Sequence, residues 1–228
     1  LVILGGGAGF DMSIGSVLSM SAVVIGLLVR AGTNVWLACL AGVVCGGILG
    51  CLNGLLVAYV GLLPFIATLG TMYTWAAIPL ILTKGVPISG FPADFGFLGQ
   101  GQILGIPAQV ILVTIPTFLV LEYIMTRTVF GRSVYLVGTN HTAARLTGIN
   151  VKRVRVTLYT ISGLMAGLGA VIMCSWLLSA RPDIGSGYEL QAATVAVLGG
   201  FHITGGTGTL PGVMIAALVV TMIASGLQ

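Results

Sequence analysis

Residues 35–60 read VWLACLAGVVCGGILGCLNGLLVAYV. No charge interrupts the stretch, and ~20 mostly apolar residues rising ~1.5 Å each cross the hydrocarbon of a bilayer. A membrane barrel strand would alternate polar with apolar side chains; this run is solidly apolar, so a transmembrane helix is predicted. Ala38, Gly42, Gly46, Gly50 and Gly54 recur every four residues. That spacing sets small residues along one helical stripe, drifting ~40° per step. Lipid supplies no hydrophobic force between helices, so close backbone approach holds them together, and the stripe marks a packing face.

Outward from this run, 13–29, 62–82, 106–126, 154–178 and 209–227 also read as spans. Gly163, Gly167 and Ala170 give 154–178 a packing face of its own. Residues 188–201 are too short to span and predict a half-helix, stable only where protein covers it. Residues 1–10 read as the tail of an earlier span. Pro64 and Pro107 are expected to open helices, and Pro116 to kink one. The whole composition agrees. Of 228 residues, 6% are charged and 57% hydrophobic, against roughly 25% charged in a soluble domain. So few charges cannot cover a water-soluble globule, and the apolar excess excludes disorder. The 35 glycines follow no three-residue period, which excludes collagen. The fold class is all-α, a polytopic integral membrane protein. The chain begins without Met and both ends lie in apolar runs, so it is expected to be a piece of a longer protein. Cys39, Cys45, Cys51 and Cys174 share no face and no ligand spacing, so neither a metal nor a disulfide is expected.

Charge orients the spans. Six of the nine basic residues (Arg127, Arg132, Arg145, Lys152, Arg153 and Arg155) fall in one acid-free stretch. Basic loops stay cytoplasmic, which places 127–155 and the turn at 59–64 inside, and 30–34, 83–105 and 179–188 outside. Each outer loop then carries one base: Arg30, Lys84 or Arg181. Because the basic residues flank spans, a nucleic-acid partner is not expected. Within the inner loop, Thr139 or Asn140 can cap a short helix that stops at Gly148. Two turns are unstable alone, so this helix must dock.

Ionisable groups inside lipid are costly and mark function. Asp11 precedes a span, where it or Ser13 either caps the helix or contacts a solute. Asn53, Thr68 and Thr71 either bond between helices or line a polar path. Glu122 snorkels to water near the inner interface. Residues 199–208, GGFHITGGTG, break helix propensity at membrane depth and must be buried in protein or face a wet cavity; His202 reads as a polar anchor. Enzyme chemistry finds no footing. His141 and His202 are far apart, and no zinc-protease motif, nucleophile elbow or phosphate loop is present.

The chain resembles the permease subunit of ribose/galactose-type ABC sugar importers through Asp11-Met12-Ser13-Ile14-Gly15-Ser16, Asn53-Gly54-Leu55-Leu56-Val57 and Pro64-Phe65-Ile66-Ala67-Thr68-Leu69-Gly70-Thr71. It continues through Gly131-Arg132, Val137-Gly138-Thr139-Asn140, Ala143-Ala144-Arg145-Leu146-Thr147-Gly148-Ile149, Gly187-Tyr188-Glu189-Leu190 and the glycines of 199–208. Members usually carry Leu and Val where Met12 and Ile14 stand. The resemblance implies a type II-like importer permease fold of about ten spans, of which residues 1–228 form part of a single transmembrane domain. It implies a second permease copy, a cytoplasmic ATP-binding subunit, a periplasmic sugar-binding protein and surrounding lipid, in the bacterial inner membrane. It implies no cofactor of the chain's own, ATP being bound by the partner. Residues 127–153 would be the coupling loop, with Thr139, Asn140, His141, Ala143, Ala144, Arg145, Leu146 and Gly148 meeting the ATPase. Asp11, Ser13, Asn53, Phe65, Thr68, Gly199, Gly200, Gly205 and Gly206 would line the path at the dimer axis. Arg30, Lys84 and Arg181 would meet the binding protein. The alternative is a stand-alone channel or secondary carrier.

Overall fold

The computed structural model describes residues 2, 5, 10–202 and 205–226. The reading of 1–10 as a span's tail lies almost wholly outside them. Helices α1 (Ile14–Arg30), α2 (Val35–Leu55, extended by a π-helical turn to Val60) and α3 (Pro64–Thr83) come first. An outer segment follows: strand β1 (Ile88–Ser89), helix α4 (Gly96–Gln100), and the hairpin β2 (Gln102–Ile103) and β3 (Ile106–Pro107). Then come a π-helical turn, Val110–Thr114, leading into α5 (Ile115–Arg127), α6 (Val129–Thr139), α7 (His141–Leu146), α8 (Val151–Leu177), β4 (Ser179–Ala180), α9 (Tyr188–Leu198) and α10 (Leu210–Gly226). Among the described residues, four helices are long and apolar enough to cross a membrane: Val35–Val60, Pro64–Thr83, Val110–Arg127 and Val151–Leu177.

The glycine stripe of α2 finds its partner in α8. A Cβ on Gly46 would strike the Gly163 carbonyl oxygen, and one on Gly163 would strike that of Gly46. Gly50 faces Tyr159 and Gly163, Gly54 faces Val156, and Gly167 sits on Val43. The two backbones therefore touch along much of their length, as small residues permit in lipid. Their register sets the polarity of the bundle, since the inner end of α2 lies beside the inner end of α8. Lys152 closes that end with its ammonium 5.0 Å from the Tyr59 ring centre.

At the outer end β1 pairs antiparallel with β4, Ile88 opposite Ala180. Phe91 and Phe95 stack there, and Trp36 meets Phe95 edge-on. Ser175 on α8 accepts the Gly99 N–H at 2.8 Å, pinning α4 down. One buried cluster forms under this outer segment, around Val17, Ile25, Phe95, Cys174 and Ala180. A second gathers at the inner end, around Val134, Val137, Ala144, Leu158 and Phe201.

One expectation is corrected, at Pro107. Residues 13–29 and 209–227 give apolar helices of 17 described residues each, Ile14–Arg30 and Leu210–Gly226, about 25 Å long, and α1 starts close to Ser162 of α8. Pro107 opens no helix, because it pairs in the β2–β3 hairpin. Pro116 stands at the start of α5 directly after the π-helical turn. Pro64 does open α3.

Candidate functional site: a membrane-depth junction and an inner coupling segment

Four of the polar residues picked out in the apolar sequence meet at one place. Asn53 on α2 donates to Ser13 Oγ at 2.7 Å. Ser13 donates its hydroxyl to Asp11 Oδ1 at 2.6 Å and its N–H to the same oxygen at 3.1 Å. Ser162 on α8 donates to Asp11 Oδ2 at 2.9 Å. Thr68 on α3 accepts the Met12 N–H at 3.1 Å, and its hydroxyl reaches the Pro64 and Phe10 carbonyls. Asn53, Ser13 and Thr68 are fully buried. Ser13 occupies the cap position of α1 without a side-chain cap bond; its hydroxyl is committed to Asp11 instead. The polar residues thus do bond between helices, and the segment they clamp is the irregular 10–13 that precedes α1. Burying a carboxylate this way is tolerable because several donors satisfy it at once.

Ser162 is the twelfth residue of the 27-residue α8, so the junction lies roughly 16 Å from the inner end of a helix about 40 Å long. A second helix also begins there. After β4 the chain turns back into the membrane, and Gly185 donates its N–H to Ser19 Oγ at 2.9 Å. Gly185 and Gly15 pack backbone against backbone, where neither could carry a Cβ. Helix α9 then runs inward for 11 residues, the half-helix expected from 188–201. So α1 rises outward and α9 descends inward from one level. Glu189, in the first turn of α9, accepts the Gly187 N–H at 3.3 Å, and its other oxygen lies against Gly15 in the first turn of α1. Two helix N-termini, each bearing partial positive charge, therefore converge on a pair of acids.

A cavity of about 540 Å³ opens beside this junction. Asp11, Ser162, Tyr188, Glu189 and Gln191 give it polar groups, and Phe10, Met165 and Ala192 are among its apolar walls. Glu189, Ser162 and Gln191 carried no assigned role in the sequence reading. The available signal was scarcity, since Glu189 is one of only five acids in the chain. Among the described residues, no three of His, Cys, Asp and Glu gather as a metal site would require.

The remaining expected path residues lie elsewhere. Phe65 points outward, 49% exposed. Gly199 packs on Val213 of α10. Gly206, at φ +77°, lies so close to α6 that a Cβ would sit 2.6 Å from the Thr139 nitrogen, while Tyr135 donates to the Gly208 carbonyl at 3.0 Å. The glycine-rich bend thus joins the inner end of α9 to the coupling segment. Residues 203 and 204 of that bend lie outside the described residues.

The coupling segment is two helices. Thr128 caps α6, accepting the Gly131 N–H. Asn140 caps α7, accepting the Thr142 and Ala143 N–H groups at 3.0 Å each. Gly148, at φ +83°, closes α7, and Asn150 caps α8. His141 Nε2 lies 3.0 Å from the Arg155 guanidinium and so accepts from it. Burial, then the Arg155 and Arg145 charges, hold the His141 imidazole below its ordinary pKa. Ala144 is a correction: it was expected to meet a partner, but only 1% of it is exposed and it packs on the inner cluster. A two-turn helix gains its stability by docking, and Ala144 is the contact that docks it. Thr139, Asn140, Ala143, Arg145, Leu146 and Gly148 face outward, with Leu146 85% exposed. On the outer side Arg30 and Lys84 are exposed, whereas Arg181 already pairs with Asp183 at 3.3 Å.

The family model for the branched-chain amino acid transport system / permease component matches residues 1–228. The chain belongs to that permease family. Among its relatives, the ribose import permease protein of Bacillus subtilis is 39% identical over 100% of this chain and 70% of its own length. The D-allose transport system permease protein of Escherichia coli is 38% identical over 97% and 68%. The autoinducer 2 import system permease protein of Klebsiella pneumoniae is 36% identical over 100% and 70%. No solved structure matches the chain. The resemblance to ribose/galactose-type ABC importer permeases is therefore shown, and with it an all-α, multi-pass protein of the inner membrane whose role is transport. A permease of this type works with an ATP-binding subunit and a periplasmic binding protein.

Proposed function

We propose that this permease forms the path for a sugar or sugar-like solute, delivered by a periplasmic binding protein and moved by a partner that binds and hydrolyses ATP. The carrying observation is that the relatives named for ribose, D-allose and autoinducer 2 import match it over nearly its whole length. Two features fit that reading. The folded α6–α7 segment presents Leu146 and Arg145 to the inner side, both exposed among the described residues, as a coupling element would. The α1–α9 junction places polar groups and a cavity inside the membrane, as a path requires.

In this reading residues 1–228 belong to one transmembrane domain and 127–153 form its coupling loop. The permease pairs with a second copy, and the exposed Arg30 and Lys84 meet acids of the binding protein. Arg181, tied to Asp183, contributes less to that surface. The chain needs no cofactor of its own, ATP being bound by the partner. Alternating access follows from rocking of packed units about their shared axis.

The test is uptake of labelled D-ribose into liposomes holding the complete importer. Uptake is expected only with ATP and the ATP-binding subunit, and is expected to be lost in Leu146→Asp, which changes a solvent-facing side chain. Transport by the permease alone would establish a channel or carrier instead.

A further inference from the structure

We propose that Ser175 is a positioning residue for binding-protein docking: its hydroxyl fixes the outer segment 84–107 to the outer end of α8, the helix whose inner end holds the coupling segment. The proposal rests on the reading of the chain as an importer permease with a periplasmic binding protein, and adds the residue that ties the outer docking surface to the motor side.

Other hydroxyls of the same helix set the contrast. Thr157 and Thr160 give theirs to the carbonyls four residues back, at 2.9 and 2.8 Å, a local bond common in helices. Ser175 is fully buried; it donates to the Phe95 carbonyl and accepts the Gly99 N–H at 2.8 Å. Those partners lie 80 and 76 positions away along the chain. Phe95 and Gly99 are four residues apart, so one hydroxyl bridges a full turn at α4. A hydroxyl committed in this way serves the segment it holds rather than α8 itself.

The surrounding contacts make that hold close. A Cβ on Gly99 would sit 2.3 Å from the Trp176 nitrogen, so α4 crosses the last turn of α8 backbone against backbone. Gln100 donates its side-chain amide to the Trp176 carbonyl at 2.7 Å. Strand β1 pairs with β4, which follows α8 almost at once, and Ser179 donates to the Ile88 carbonyl at 3.3 Å. Phe95, 1% exposed, is wedged beneath.

The other end of α8 is gripped as well. Arg155 donates to His141 Nε2 at 3.0 Å, and Val151 and Val154 share the inner cluster with Ala144 of α7. Between the two grips α8 runs unbroken for 27 residues, about 40 Å, braced by the glycine seam with α2. A rigid helix held at both ends passes displacement from one to the other. Lys84, an exposed base expected to meet the binding protein, starts the held segment. Docking outside and nucleotide state inside therefore bias one body, and such coupling is reciprocal.

The test uses the complete importer in liposomes and its binding protein loaded with D-ribose, reading ATP hydrolysis as the binding protein is titrated. Ser175→Ala keeps a good helix former in α8 and removes both bonds. A segment left loose must be ordered on docking, which weakens binding. The half-maximal concentration of binding protein is expected to rise roughly five- to tenfold, as the loss of two hydrogen bonds allows. Hydrolysis without binding protein is expected to stay at the parental rate. Gly99→Ala pushes the segment off α8 from the other side, leaves the hydroxyl in place, and is expected to give the same split. A parental half-maximal concentration in either variant overturns the proposal. So does hydrolysis reduced by one factor with and without binding protein, the mark of a merely structural role. If one variant fails to assemble, the other decides alone. An unaltered importer whose hydrolysis ignores the loaded binding protein overturns the functional reading itself, whereas a parental response in the variants overturns only the role of Ser175.

Discussion

The α2–α8 seam and the α1–α9 junction both rest on glycines that touch backbone to backbone, yet they produce opposite structures. In the seam, Gly46, Gly50, Gly54, Gly163 and Gly167 repeat along two full-length helices, and the contact closes continuously. At the junction one pair, Gly15 and Gly185, touches at a single level. From that level α1 and α9 run in opposite directions. Space therefore opens beside the contact, and polar side chains rather than small ones hold it. Repetition turns small residues into a rigid strut; a single contact between broken helices leaves a cavity and a place for acids.

The strongest blow to this contrast falls on the seam. Gly46→Val places its Cβ on the Gly163 carbonyl, backbone that cannot rotate away, so the two helices must part. Overpacking costs about 1–3 kcal/mol at ordinary core sites, and the top of that range is expected here. Thermal unfolding of the purified importer in detergent should show a large fall in Tm, with little permease reaching the membrane. A parental Tm would mean that the seam is looser than its glycines suggest.

Next comes the inner end, where the junction's helix α9 reaches the coupling segment. Ala144→Asp buries an unpaired charge, a change that costs several kcal/mol when not relieved. It is expected to undock α7 and expose the 127–150 stretch to protease, with loss of uptake as a consequence. Arg145→Glu, on the exposed face, should leave protease resistance intact and reduce ATP-coupled uptake alone. Equal protease sensitivity in the two variants would erase the distinction between the docked face and the outward one.

A milder change separates α9 from that segment. Tyr135→Phe removes the bond to the Gly208 carbonyl, worth about 1 kcal/mol. It should lower uptake several-fold while leaving Tm within a few degrees of the parent. No change in uptake would remove the bend from the route between cavity and motor.

The smallest effect is pH-dependent. His141 holds its proton less readily in the fold than in the unfolded chain, because of burial and the Arg155 and Arg145 charges. The unfolded state therefore binds more protons, and stability rises with pH. The contribution of neutral His141 is fully present above its ordinary value of about 6.5 and falls away as pH drops below it, as protonation turns the acceptor toward Arg155 into a donor. Protease protection of α7 should weaken between pH 7.5 and 5.5, and His141→Gln should flatten that dependence.

Much of this molecule is legible in its sequence. The four-residue glycine spacing of 38–54, the short run at 188–201, the Asn140 cap and the cluster of basic residues each carry their meaning locally. A helix stripe, a half-helix, a cap and an inner loop depend only on neighbours within a few residues. Asn53 and Thr68 were visible as polar residues in apolar runs, but not as a clamp on residues 10–13, since their partners lie 40 and 58 positions away. Ala144 misled because periodicity shows that a short helix must dock without showing which face does so. Glu189 stood in a recognisable motif but acquired a role only beside Gly15, far along the chain.

The sequence by itself determined the solvent, the helices and the sidedness, because hydropathy, small-residue spacing and the position of basic residues act through local physics. Only the tertiary structure decided that α1 and α9 begin at one level, that two of five acids lie there, and that the glycine bend leans on the coupling segment. Those facts depend on contacts between residues distant in sequence, and nothing in a run of apolar side chains records which other run it will touch.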